Sequence, residues 1–200
     1  MNSIAGIILA AGASSRMGED KALLRWGERS FLEHLMAALK TAGAEPLRVV
    51  LGANAEEVQR RVRFGVGEVI VNRDWERGML SSLLAGLDSL RVGSVDAVVL
   101  CLVDHPCVSS RVIRALIERH HATGKLIVQP TYQGRRGHPV LFAASLFEEL
   151  RASPADVGAR HVVYQHASEV LEVPTDEEGI VLNVNDRVAY EKILQMVPPE

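Results

Sequence analysis

Three features of the amino-acid sequence predict an α/β fold with a mixed, mostly parallel sheet. Short apolar runs alternate with stretches whose apolar residues recur at helical spacing, as in successive strand-helix units. Aromatic residues make up only 4% of the chain while Ala, Val, Leu and Gly are abundant, which suits packed layers better than an antiparallel sandwich. The 200 residues, 48% apolar and 24% charged, amount to one domain spanning residues 1–200, with no linker-like composition shift and no internal repeat.

The first strand is Ile4–Ala10, an unbroken apolar run suited to burial on both faces. A loop leads to a helix that starts at Ser30, where Ser30 and Glu33 form a capping box. Leu32, Leu35, Met36 and Leu39 then share one stripe, and Gly43 ends the helix. Leu47–Leu51 is the second strand, after which Asn54 with Glu57 caps a helix reaching about Arg63. Residues 68–71 form a third strand. An irregular polar stretch, 72–79, precedes a helix from about Ser81 with Leu84, Leu87 and Leu90 turned inward. Residues 96–103 are the most apolar strand, stopped by Asp104-His105-Pro106. Ser109 or Ser110 caps the next helix, which carries Val112, Ile113, Leu116 and Ile117 on one face. Beyond a strand at 126–129, Gln133-Gly134-Arg135-Arg136-Gly137 is turn chemistry between two strand-like runs, so a hairpin and some antiparallel pairing are expected. Strands at 169–173 and 180–184 and a last helix complete the chain.

A formal net charge of −3, with no basic block, excludes nucleic acid and anionic membrane as expected partners of the chain as a whole. The start lacks the features of a signal peptide and no apolar run is long enough to span a bilayer, so the cytoplasm is the expected location. Cys101 and Cys107 are too few for a four-ligand zinc site and read as reduced thiols. His34, His161 and His166 lack metal spacing, and His120-His121 suit a helix C-terminus.

In open α/β sheets ligands bind at the carboxyl ends of strands, which directs attention to the loops after Ala10 and after Val103. The first runs Leu9-Ala10-Ala11-Gly12-Ala13-Ser14-Ser15-Arg16-Met17-Gly18-Glu19-Asp20-Lys21. Its small residues let backbone amides approach an anion, its hydroxyls add donors, and Arg16 and Lys21 add charge, as in a phosphate cradle. Its spacing is neither that of a Walker P-loop nor GxGxxG. Only four lysines occur against eighteen arginines, so Lys21 in this loop stands out; the alternative is a solvated loop with two surface cations. In the second loop Asp104 ends a rigid strand at the ligand crevice, where a Mg²⁺ ligand belongs, the alternative being a turn before Pro106.

LAAGASSRMGEDKALLRWG, NRDWERGMLSSLLAGL, CLVDHP and GRRGHPVLF, in that order, resemble the MobA-like nucleotidyltransferases, most closely the molybdenum cofactor cytidylyltransferase branch. The resemblance runs in register from Ile4 to about Phe142 and weakens beyond. It implies a Rossmann-like nucleotidyltransferase fold, a three-layer sandwich, and a reaction in which an acceptor phosphate attacks the α-phosphate of an NTP and releases pyrophosphate. An NTP carries roughly four negative charges, which Mg²⁺ with Arg16 and Lys21 would about neutralise. By the same resemblance Leu9, Ala10, Ala11 and Gly12 contact base and ribose, while Ser14, Arg16 and Lys21 hold the triphosphate. Ser81 and Ser82 line the nucleotide pocket, with helix capping as their alternative, and Asn72 stands at its edge. Arg135, Gly137 and His138 face the acceptor, His138 having a turn role as its alternative. Arg160 is expected at the acceptor phosphate or in a surface ion pair.

The C-terminal third departs from the family pattern. In place of an Asp-rich DxDTPxD stands Asn183-Val184-Asn185-Asp186-Arg187, which resembles the metal-ligating segment of sugar-1-phosphate uridylyltransferases. Asn185 is therefore the expected second Mg²⁺ ligand beside Asp104. LAAG rather than LAGG marks the cytidylyl branch, so CTP and a molybdopterin-type acceptor are the implied substrates and a molybdenum enzyme the implied recipient. A sugar- or alcohol-phosphate acceptor, or a nucleotide-binding module without turnover, are the two alternatives.

Overall fold

The computed structural model describes residues 3–13 and 18–198. Its centre is β1 (Ile4–Ala10), in which every residue is buried. β1 pairs in parallel with β4 (Leu47–Leu51) on one side and with β6 (Ala97–Leu102) on the other, so that Ile8 sits between Val49 and Cys101. β5 (Val69–Val71) extends the sheet beyond β4. On the other flank β9 (Val140–Ala143) runs antiparallel to β6 and to β7 (Ile127–Tyr132), and β10 (Val170–Pro174) lies parallel to β7. The order is thus β10-β7-β9-β6-β1-β4-β5, with the short β8 (Arg135–Arg136) paired to the end of β7. The mixed, mostly parallel sheet agrees with expectation.

Helices cover both faces. Buried side chains of α1 (Phe31–Ala42), α2 (Ala55–Arg61) and α4 (Ser110–Thr123) form one core, whereas α3 (Met79–Asp88), α5 (Phe147–Ala152) and α6 (Arg160–Gln165) form the other. The predicted capping box is present: Glu33 N–H donates to Ser30 Oγ, Ser30 N–H to Glu33 Oε2, and Gly43 takes φ +81°. Ser109, rather than Ser110, caps α4 through Val112 N–H. A third cluster joins Leu24, Trp26 and Phe31 to Val184 and Ile193, tying the small hairpin of β2 (Arg25–Trp26) and β3 (Arg29–Ser30) to α7 (Arg187–Leu194). Among the described residues no helix is long and apolar enough to cross a membrane.

Several expectations are corrected. Asn54 is the residue before α2 but makes no side-chain cap, and its amide nitrogen donates to Asp20 Oδ2 at 2.8 Å. α3 begins at Met79 rather than Ser81, which brings Leu80, Leu83 and Leu87 inward and leaves Leu84 only half-buried. Residues 180–184 are not a strand. Ile180 C=O accepts from His138 N–H at 2.9 Å and Val184 N–H donates to Asp104 C=O at 2.8 Å, so two loops satisfy backbone groups that a sheet neighbour would otherwise pair. The hairpin is realised by Gln133 and Gly134, both at positive φ (49° and 75°).

Candidate active site

The chain leaves β1 toward β4 on one side and later returns through β6 on the other, so the carboxyl ends of β1 and β6 part at a topological switch point. A cavity of about 380 Å³ opens there, lined by Leu9, Ala10, Ala11, Gly12, Lys21, Ser82, Asp104 and Asn185. Val103 N–H donates to Leu9 C=O at 3.1 Å, and Ala53 N–H to Ala11 C=O at 3.2 Å, which fixes the floor. Gly52 permits this approach, since a Cβ there would collide with the Ala11 carbonyl and Trp75. Ser14 and Arg16, expected at the triphosphate, lie outside the described residues.

Three distant segments bring their polar groups together at one end of the cavity. Lys21 Nζ donates to Asn185 Oδ1 at 2.7 Å and stands 3.8 Å from Asp104 Oδ2, the Lys21 and Asp104 side chains being 16% and 24% exposed. Lys21 opens a short turn capped by buried Asp20, whose Oδ1 accepts from Ala22 N–H at 2.8 Å while Oδ2 takes the Asn54 amide. A carboxylate and an amide oxygen thus converge on one cation, and such hard oxygen donors fit Mg²⁺ or Mn²⁺ as well as an ammonium. No group of three or more His, Cys, Asp or Glu among the described residues could hold a metal, so water and substrate oxygens would have to complete such a shell.

Ser81 and Ser82 divide. Ser82 is buried and lines the cavity, whereas Ser81 Oγ turns its one hydrogen back toward the Gly78 and Asp74 carbonyls, 2.8 and 3.0 Å away. Asn72 Nδ2 donates to both hydroxyls, at 3.0 and 3.1 Å, and its Oδ1 accepts from Asp74 N–H. Neither serine is the N-cap, which is Gly78.

A second cavity, about 610 Å³, shares Leu9, Met79 and Leu102 with the first. Its floor is apolar, formed by Leu80, Leu83, Leu100 and Phe142, and it brings together Gly137, His138 and Arg160, three of the residues expected to face the acceptor. Arg135 does not line it. Alternation along β8 puts Arg136 there instead, with its Nε 2.8 Å from Glu172 Oε1. Arg160 stands at the second cavity without a surface ion pair among those found in the described residues. Burial pushes His138 down to about 3, helped by repulsion from His105 and Arg160, so it is neutral at physiological pH. Burial also lowers His105. The same desolvation pushes the Cys107 thiol up to about 12 and raises that of Cys101, which leaves both thiols protonated.

Sequence reasoning passed over Asp20, Met79, Trp75, Gln129 and Arg136 as site residues. The Asp before Lys-Ala-Leu was a readable cap signal for the Lys21 turn. Nothing local distinguishes the others, which acquire their places from the packing of α3, α6 and the β7-β8 hairpin.

The family described as the MobA-like NTP transferase domain matches residues 6–170. Nicotine blue oxidoreductase of Paenarthrobacter nicotinovorans is 33% identical over 166 residues, covering 78% of this chain and 79% of that protein. A probable molybdenum cofactor guanylyltransferase of Bacillus mycoides (strain KBAB4) is 32% identical over 143 residues, covering 72% and 68%. Rv0371c from Mycobacterium tuberculosis H37Rv superposes with a TM-score of 0.87 at 29% identity, over 98% of each chain. Its complex with manganese superposes at 0.81 and 27% identity, over 98% of this chain and 100% of that one. With its switch-point cavity and a family match over most of its length, the chain belongs to the MobA-like NTP transferases.

Proposed function

We propose that this nucleotidyltransferase joins CMP, taken from CTP, to the phosphate of a molybdopterin-type acceptor, the finished cofactor passing to a molybdenum enzyme. The observation that carries the reading is the meeting of Lys21, Asp104 and Asn185 at the end of the switch-point cavity. Leu9 to Gly12 take base and ribose, Ser82 lines the same pocket, and Lys21 with Ser14 and Arg16 takes the triphosphate. Asp104 and Asn185 hold Mg²⁺, which when bound neutralises triphosphate charge. The acceptor phosphate oxygen forms a bond to the α-phosphorus as the bond from that phosphorus to the bridging oxygen breaks, and pyrophosphate departs with the electron pair. The acceptor is already an anion, so no general base is required. Catalysis here is positioning and charge stabilisation: Lys21 faces the triphosphate from the floor of the cavity while Arg136, His138 and Arg160 orient the acceptor from the adjoining one.

GTP is the second reading for the nucleotide, favoured by the relatives named molybdenum cofactor guanylyltransferase. Ala11 lines the cavity, which supports CTP, and an Ala11→Gly variant is expected to move the preference toward GTP about tenfold. Pyrophosphate release from CTP, GTP, UTP and ATP, each with Mg²⁺ and either a molybdopterin or a sugar-1-phosphate acceptor, tests the proposal. Release that needs CTP, molybdopterin and Asp104 supports it; release only with sugar phosphates, or nucleotide binding without release, rejects it. Because one relative is named an oxidoreductase, consumption of a reduced nicotinamide nucleotide is followed in the same samples and is expected to be absent.

A further inference from the structure

Three buried side-chain polar atoms find no hydrogen-bond partner among the described residues: Gln129 Oε1, His138 Nδ1 and Asn183 Oδ1. Gln129 and His138 line the second cavity, while Asn183 and His105, which line neither, form the partition that joins His138 to Asp104 of the first. Asn183 lies between two backbone clamps, Ile180 C=O to His138 N–H and Val184 N–H to Asp104 C=O. Its amide nitrogen donates to Asp104 Oδ2 at 3.2 Å and lies 3.2 Å from His105 Nε2. A carboxylate can only accept, so the amide must turn its nitrogen this way, and its second N–H is used in the tautomer that leaves His105 Nε2 unprotonated. The His105 ring in turn packs on His138 with centroids 4.6 Å apart, and His138 lines the second cavity.

We propose that Asn183 is a positioning residue, which holds the Asp104 carboxylate and links it through His105 to His138, so that the acceptor side of the partition influences cation binding at Asp104. This rests on the placement of a divalent cation at Asp104 proposed above. Buried polar groups left unpaired are costly to keep, and their place in this partition and the adjoining wall of the second cavity marks the region as the part of the interior that gains most by repacking when ligands arrive. Outer partners of a metal-ligating carboxylate commonly change metal affinity about tenfold or more when removed.

Mn²⁺ titration followed by electron paramagnetic resonance, on the wild type, Asn183→Leu, His138→Phe and the double variant, tests the inference without turnover. Asn183→Leu is expected to weaken Mn²⁺ about tenfold. His138→Phe, which keeps a ring beside His105, is expected to shift Mn²⁺ affinity about threefold when Asn183 is present and not at all in the Asn183→Leu background. A packing role for Asn183 predicts no effect of His138→Phe, and either that result or additive effects in the double variant overturns the inference. Asn183→Ala serves if the Leu variant does not fold and is expected to lose the coupling in the same way. Pyrophosphate release separates the two readings: turnover with additive effects rejects only the role of Asn183, whereas coupled Mn²⁺ binding without turnover rejects only the transferase proposal.

Discussion

The two cavities share a wall yet obey opposite chemistry. The first is built at strand ends from backbone and short side chains, and its working groups, Lys21, Asp104 and Asn185, are already paired with one another. The second is floored by Leu80, Leu83, Leu100 and Phe142, and polar atoms of its wall, on Gln129 and His138, lack partners. Under the proposed function, a charged ligand would replace interactions in the first at little cost, because the charged Lys21 and Asp104 would exchange one partner for another. In the second, apolar burial would supply affinity and polar contacts selection.

Removing a charge from the first cavity is the strongest way to test that contrast. Asp104→Ala is expected to lower kcat/KM for pyrophosphate release by about 10³-fold or more while costing only about 1–2 kcal/mol of stability, from the Asn183 amide and Lys21 left without their carboxylate. A loss of stability comparable to the loss of activity would show that Asp104 belongs to the fold rather than to the site.

The glycines beneath each cavity come next. A Cβ at Gly52 would strike the Ala11 carbonyl and one at Gly137 the Ile180 carbonyl, so Gly52→Ala and Gly137→Ala should each cost about 1–3 kcal/mol in denaturant unfolding. The residual function should differ: Gly52→Ala abolishes thermal stabilisation by CTP, and Gly137→Ala leaves it intact while raising KM for the acceptor. Loss of both functions in both variants would mean that the cavities do not work separately.

Acid distinguishes the second cavity. His138 binds its proton at about 3 in the folded chain against an ordinary value near 6.5, so the unfolded state binds more protons as pH falls through that window. Its contribution is therefore fully present above about 6.5 and is lost toward about 3, with a slope of up to about 1.4 kcal/mol per pH unit. Melting temperatures across that range should fall less steeply for His138→Gln than for the wild type. An unchanged slope would mean that the folded imidazole takes up its proton near the ordinary value. The smallest effect separates neighbouring arginines: Arg136→Ala should raise KM for the acceptor severalfold, whereas Arg135→Ala should stay within about twofold, because only Arg136 lines the cavity.

What could be read from the chain and what could not divide along the same line. β1, β4, β6, α1 and α4 were legible because their signals are local: unbroken apolar runs, a capping box three residues long, and a glycine stop. The loops after β1 and β6 were legible as a site because strand ends at a switch point are where an α/β sheet opens. Asn54 stands in the cap position, yet its side chain's partner is Asp20, 34 positions away. Arg135 was chosen over Arg136 because the sequence does not say which face of a two-residue strand meets the cavity. Residues 180–184 have the apolar composition of a strand, but backbone partners offered by Asp104 and His138 held them in loop form.

By itself the sequence determined the layered fold, the family and the two loops that line the switch-point cavity, since periodicity, caps and a long ordered motif act over a few residues at a time. Only the tertiary structure decided that Lys21 and Asn185, 164 positions apart, hydrogen-bond each other beside Asp104, and that Asn183 ties that carboxylate to His105. Such contacts depend on where three separate loops end once both helical layers have closed on the sheet, and no short stretch of chain carries that information.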